Sequence, residues 1–161
     1  MIVVSDTSPL FYALKIECEE LFPLLFKTVL IPPAVEKELR ANREQKLIQR
    51  LLSQDWIKTK PVTEQGLVTT LLTMVDIGES EAIALAFDKK ADYLLIDERR
   101  GTSLAQRLNL RTVGFLSFLV LAKEAGHLSA VKPLIDRLIT QTNFRYTDQL
   151  LKQTLQNANE L

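Results

Sequence analysis

The chain has 161 residues, 47% of them hydrophobic and 25% charged, with twenty basic residues against twenty acidic ones. That is about one domain's worth, enough to bury roughly two-thirds of the unfolded surface without disulfide or structural metal, and it excludes a disordered chain. Zero net charge excludes a globally basic coat for duplex DNA, while one cysteine (Cys18) and one histidine (His127) exclude internal disulfides, zinc fingers and multi-histidine zinc sites.

The elements follow in chain order. Ile2-Val3-Val4 is a β-branched run of the kind buried on both faces of a parallel sheet, and it ends at Ser5-Asp6. Ser8 can cap a following helix whose first turn suits Pro9. Thr28–Ile31 predicts a second strand, stopped by Pro32-Pro33, with helices over Ala34–Arg40 and Glu44–Gln54. Trp56–Thr59 reads as a brief edge strand, and Val68–Val75 as a helix broken at Asp76-Ile77-Gly78. Glu79–Lys90 is a helix apolar on every side between its polar ends, hence central and buried. Tyr93–Ile96 is a further buried strand, ending in a turn at Asp97–Gly101. Thr102–Asn109 predicts a helix and Arg111–Gly114 a strand. Three helices follow, over Ser117–Ala125, Ser129–Thr140 and Thr147–Asn157.

Strands alternating with helices imply crossover connections, so the expected fold is α/β, a three-layer α/β/α arrangement around a mainly parallel sheet. One domain over residues 1–161 is expected, with the polar stretch from about Asn143 as a peripheral C-terminal helix. The start lacks a basic leader, and the apolar cluster at 114–122 is shorter than the roughly 20 residues that span a bilayer. A cytoplasmic location without membrane contact is the expectation.

The chemistry-bearing residues are acids at strand ends. Asp6 closes the first strand and Asp97 the Tyr93–Ile96 strand. In open parallel sheets the crevice beyond the carboxyl ends of the strands is where ligands bind. Glu81, in the first turn of the buried helix, can lie at the same edge, and Glu38 is on the helix after the second strand. Converging carboxylates repel one another unless a cation offsets them, and their hard oxygens favour Mg²⁺ or Mn²⁺. Such ions can generate hydroxide from water and stabilise the leaving oxygen of a phosphodiester, with no histidine or cysteine nucleophile.

Four segments carry a resemblance in order: Asp6-Thr7-Ser8-Pro9-Leu10, Ile31–Leu39, Gly78-Glu79-Ser80-Glu81-Ala82, and Leu94-Leu95-Ile96-Asp97-Glu98-Arg99-Arg100-Gly101. Together they resemble the PIN-domain family over about residues 1–140, in the bacterial and archaeal branch similar to VapC toxin ribonucleases. The resemblance implies a Mg²⁺- or Mn²⁺-dependent endoribonuclease, often the toxin of a toxin–antitoxin pair. Its partners would be RNA, a small antitoxin protein and, in many members, a second copy of the chain. By position, Asp6, Glu38, Glu81 and Asp97 match the catalytic acids, with Asp6, Glu81 and Asp97 as metal ligands. The wider family usually has Asp where this chain has Glu81. Glu79 competes with Glu81, because residues two apart on a helix point about 200° apart and both can ligate only if the helix begins between them. Ser8 and Glu79 are supporting candidates.

Arg99, Arg100 and Arg40 are candidates for substrate phosphate, Arg40 within a basic run over residues 39–50 that also reads as a solvated helix face. Two other readings remain: a catalytically silent PIN-fold binding module, and a receiver-like phosphoacceptor. The receiver reading is disfavoured because a single Asp6 follows the first strand and no lysine follows the Arg111–Gly114 strand.

Overall fold

The computed structural model describes residues 1–161. Its strands are β1 (Val3–Ser5), β2 (Val29–Ile31), β3 (Ile57–Thr59), β4 (Tyr93–Leu95) and β5 (Thr112–Val113). Its helices are α1 (Thr7–Lys15), α2 (Leu21–Phe26), α3 (Pro33–Arg40), α4 (Gln45–Leu52), α5 (Gln65–Leu71), α6 (Ile77–Asp88), α7 (Arg99–Arg107), α8 (Phe115–Glu124), α9 (Lys132–Gln141) and α10 (Asp148–Asn157). The five strands form one all-parallel sheet in the order β3-β2-β1-β4-β5, flanked by the helices in three α/β/α layers.

This order decides where a ligand can sit. The chain builds outward from β1 to β2 and β3, then crosses back to lay β4 on the other side of β1. The strand order therefore reverses between β1 and β4, and a crevice opens at the carboxyl ends of those two strands. Their register pairs Ser5 with Leu95, and the Asp6 N–H continues the ladder to the Leu95 carbonyl at 2.9 Å. Asp97 is thus one register step beyond the residue opposite Asp6. With strands about 4.8 Å apart and a rise of about 3.3 Å per residue, the two α-carbons are roughly 6 Å apart.

The core explains why the sheet is so apolar. Val3, Val4, Leu94 and Leu95 have no accessible surface, and 41 buried residues form one contiguous cluster. Phe22 stacks on Phe118 with ring centroids 4.4 Å apart and on Trp56 at 5.6 Å, filling the space between α2, α8 and the sheet. The central helix is α6, packed against α3, α5, α7, β1 and β4, with Ala82, Ile83, Ala84, Leu85 and Ala86 all fully buried. Three alanines in that run let its backbone approach the sheet closely.

Several boundaries differ from the sequence reading for local reasons. Asp6, not Ser8, is the N-cap of α1, because the extended backbone at Asp6 turns directly into the helix at Thr7. The α6 helix begins at Ile77 rather than Glu79, since the Asp76 side chain accepts the Glu79 N–H at 2.8 Å and caps it. Arg99–Gly101 is helix rather than turn, because the Glu98 side chain accepts the Gly101 N–H at 2.6 Å. The helix expected over Val68–Val75 is shifted to Gln65–Leu71, and α2 was not foreseen. At the C-terminus, Glu160 accepts the Val131 and Lys132 N–H groups at 2.8 and 3.1 Å and pairs with Lys123 at 2.9 Å, fastening the end of α10 to α8 and α9. No helix is long and apolar enough to cross a membrane.

Candidate active site

Parallel strands joined by crossover helices deliver helix N-termini to one edge of the sheet. Here α1, α3, α7 and α8 start close behind strand ends, and α6 starts at that edge on its way back to β4. Each N-terminus presents unpaired N–H groups and partial positive charge, which favours carboxylates nearby. The concentration of acids at this edge follows directly.

Some of these acids are accounted for as caps. Asp76 and Glu98 bind the first turns of their own helices. Glu81 also belongs here: its Oε1 accepts the Ala34 N–H at 2.9 Å, holding the start of α3. Glu81, expected at the edge shared by Asp6 and Asp97, thus has a partner on α3. Because α6 begins at Ile77, Glu79 lies in its first turn and Glu81 beyond it, on one regular helix, and the two point apart.

Three acids are not explained by capping. Asp6 is 5% exposed, and its carboxylate makes no capping hydrogen bond to α1. Burial raises its carboxyl to about 7, against the opposing pull of the Thr7 N–H, and the charges of Glu79, Glu38 and Asp76 push it further up. Glu79 is also raised to about 7, by burial first and then by Asp76, Glu98 and Glu38. Asp97 is raised to about 6 by burial, with the Phe115 N–H at 3.0 Å from Oδ1 opposing. Its Oδ2 is buried with no hydrogen-bond partner at all. A buried carboxylate oxygen left unpaired is costly and calls for a ligand.

Glu38 completes the group. Its Oε2 accepts the Thr7 hydroxyl at 2.6 Å, which ties α3 to the first turn of α1. Two glycines make room for these side chains. A Cβ on Gly78 would fall 2.2 Å from Glu38 Oε1, and one on Gly114 would fall 3.0 Å from Asp97 Oδ1. Asp6 thus feels the charges of Glu38 and Glu79, Glu79 and Asp97 line one groove, and Glu81 is engaged at the start of α3.

An open groove of about 620 Å³ leads onto this group, lined by Glu79 and Asp97 together with Ser8, Tyr12 and the segment Asn143–Thr147. Arg99 lines it too, whereas Arg100 binds the Met74 carbonyl at 3.1 Å and Arg40 pairs with Glu36 at 3.3 Å. Sequence reasoning missed Tyr12 and Arg145. The alternation of aromatic and basic residues in Phe144-Arg145-Tyr146 was the available signal.

A divalent cation fits this donor set chemically. The oxygens are hard, Asp6 and Glu79 repel each other, and Asp97 Oδ2 lacks a partner. No three acidic, histidine or cysteine side chains converge on one point. The arrangement thus suits an ion held by one or two carboxylates with water completing its shell, as Mg²⁺ prefers.

A family model described as a PIN domain matches residues 2–160. No curated protein matches the chain.

Proposed function

The chain belongs to the PIN-domain family, a nuclease-type fold, and from that premise we propose that it is a Mg²⁺- or Mn²⁺-dependent endoribonuclease. The observation that carries this reading is the buried carboxylate group at the β1–β4 crevice, where Asp6 and Glu79 are raised to about 7 and Asp97 keeps an unpaired oxygen. Asp6, Glu79 and Asp97 are the candidates for holding the ion, one or two of them directly and the rest through water, with Glu79 replacing Glu81 in that role. Bound there, a divalent ion supplies positive charge and Lewis acidity toward water and a phosphodiester.

The chain's own side chains do the rest. Glu38, fixed by the Thr7 hydroxyl and seated against Gly78, adds negative charge beside Asp6 and strengthens its demand for a cation. The Phe115 N–H holds Asp97 in one orientation and leaves its second oxygen free. Arg99, in the same groove and without an ion pair, would meet substrate phosphate, whereas Arg100 and Arg40 are engaged elsewhere.

The test is cleavage of an end-labelled RNA with Mn²⁺, with EDTA, and with the Asp6→Asn variant. Cleavage that needs Mn²⁺ and is lost in the variant supports the reading; undiminished cleavage in EDTA rejects it. The absence of three converging acids favours one other reading, a catalytically silent PIN-fold binding module. Wild-type protein that leaves RNA intact at every Mn²⁺ concentration would establish that reading instead. The roles of toxin, antitoxin partner and homodimer rest on the family alone and are part of the proposal; size-exclusion chromatography of the purified chain checks the last.

A further inference from the structure

The segment between α9 and α10 is held as though it had a task. The Thr142 hydroxyl donates to the Leu138 carbonyl at 2.6 Å and accepts the Phe144 N–H at 3.1 Å. Phe144 is 8% exposed and meets Tyr12 edge-on, with ring centroids 5.3 Å apart at 89°. Tyr12 in turn packs edge-on against Phe115, the residue whose N–H holds Asp97. At the far end, Thr147 caps α10 by accepting the Leu150 N–H at 3.0 Å. Five residues are thus pinned at both ends and in the middle.

What the pinning displays is Arg145 and Tyr146. Tyr146 is 41% exposed, so the face of its ring is open to the groove it lines. Arg145 is exposed and makes no ion pair, and the same holds for Arg99 at the start of α7. Tyr146, Arg145 and Arg99 line the groove that also contains Glu79 and Asp97. An exposed ring sharing a groove with two guanidinium groups that form no ion pair, and with carboxylates beside them, has the chemistry that receives an unpaired base and its flanking phosphates.

We propose that the Asn143–Thr147 segment is the substrate clamp of this site, stacking one unpaired base on Tyr146 while Arg145 and Arg99 hold the adjacent phosphates. This rests on the nuclease reading above and adds the residues that position its substrate. A base locked in a duplex cannot reach the face of Tyr146, so paired RNA is bound weakly.

The experiment measures fluorescence anisotropy of a 5′-fluorescein 12-nucleotide RNA in EDTA, single-stranded and annealed to its complement, alongside Mn²⁺-dependent cleavage of the same RNA. Wild type should bind the single strand about tenfold more tightly than the duplex. Tyr146→Ala should weaken single-strand binding about tenfold and raise KM more than it lowers kcat, while Tyr146→Phe keeps both near wild type. Arg145→Gln and Arg99→Gln should each lower the slope of log affinity against log salt by about 0.7, one phosphate's worth on a single strand. Unchanged binding and KM in Tyr146→Ala, with RNA still cleaved, overturns the clamp and leaves the nuclease reading standing. Tyr146-dependent single-strand binding without cleavage at any Mn²⁺ concentration keeps the clamp and removes the nuclease. Equal loss in Tyr146→Phe and Tyr146→Ala would show a structural role for the hydroxyl and overturn stacking.

Discussion

Replacing Asp6 by Asn should stabilise the metal-free protein at pH 8 and leave it unchanged at pH 4. In the folded chain the Asp6 carboxyl is raised from 3.8 to about 7, by burial and by the charges of Glu79, Glu38 and Asp76. The folded state therefore holds its proton more tightly than the unfolded state does. Stability falls as pH rises from about 4 to about 7 and is level above that. A shift of about three units corresponds to about 4 kcal/mol at 1.36 kcal/mol per unit. Asparagine has nearly the same shape and no charge, so it removes this penalty. Urea denaturation of both proteins in EDTA at pH 4 and pH 8 measures it. With a urea slope of about 2 kcal/mol per molar, the Asp6→Asn midpoint should exceed wild type by about 2 M at pH 8 and match it at pH 4. Saturating Mn²⁺ at pH 8 should close the gap by stabilising wild type alone. A variant less stable than wild type at pH 8, or a difference that does not change with pH, would refute the claim that Asp6 is an electrostatically strained acid.

The two glutamates of α6 should separate cleanly. Glu79→Gln should abolish Mn²⁺-dependent RNA cleavage with little loss of stability, whereas Glu81→Gln should keep cleavage and, by weakening the contact to the Ala34 N–H, lower stability by about 1 kcal/mol. Gly78→Ala places a methyl against Glu38 Oε1, so the carboxylate must leave the Thr7 hydroxyl; a loss of about 1–2 kcal/mol in urea denaturation and reduced cleavage are expected. Glu160→Ala removes the acceptor for the Val131 and Lys132 N–H groups, and amide hydrogen exchange over residues 148–158 should accelerate while that of β1 and β4 stays slow.

How much of this was legible in the sequence depended on whether a signal was local. The apolar runs at Val3-Val4 and Leu94–Ile96, each closed by an aspartate, mark both the sheet and the crevice, because a buried parallel strand and its terminal acid can be read from a few adjacent residues. The choice between Glu79 and Glu81 was not local. It depends on helical phase, and phase depends on where α6 begins, which the Asp76 cap sets two residues earlier than the apolar pattern suggests. Glu81 then serves α3, a tertiary contact that no spacing along α6 reveals. Residues 143–147 were read as the start of a peripheral element because polar, non-periodic sequence carries no pattern for burial. The pinning of Phe144 on Tyr12 joins residues far apart in the chain. The α2 helix, six residues with Pro23 inside it, was too short to show a period.

The account rests on the carboxylates of the β1–β4 crevice being incomplete without a divalent ion, and titration calorimetry with MnCl₂ at pH 6.5 in two buffers of different ionisation enthalpy tests it most directly. Asp6 and Glu79 are both largely protonated at that pH, so saturable Mn²⁺ binding should release between about one and two protons per ion and weaken at least tenfold in Asp97→Asn. Binding without proton release, or equally tight binding by Asp97→Asn, would contradict it.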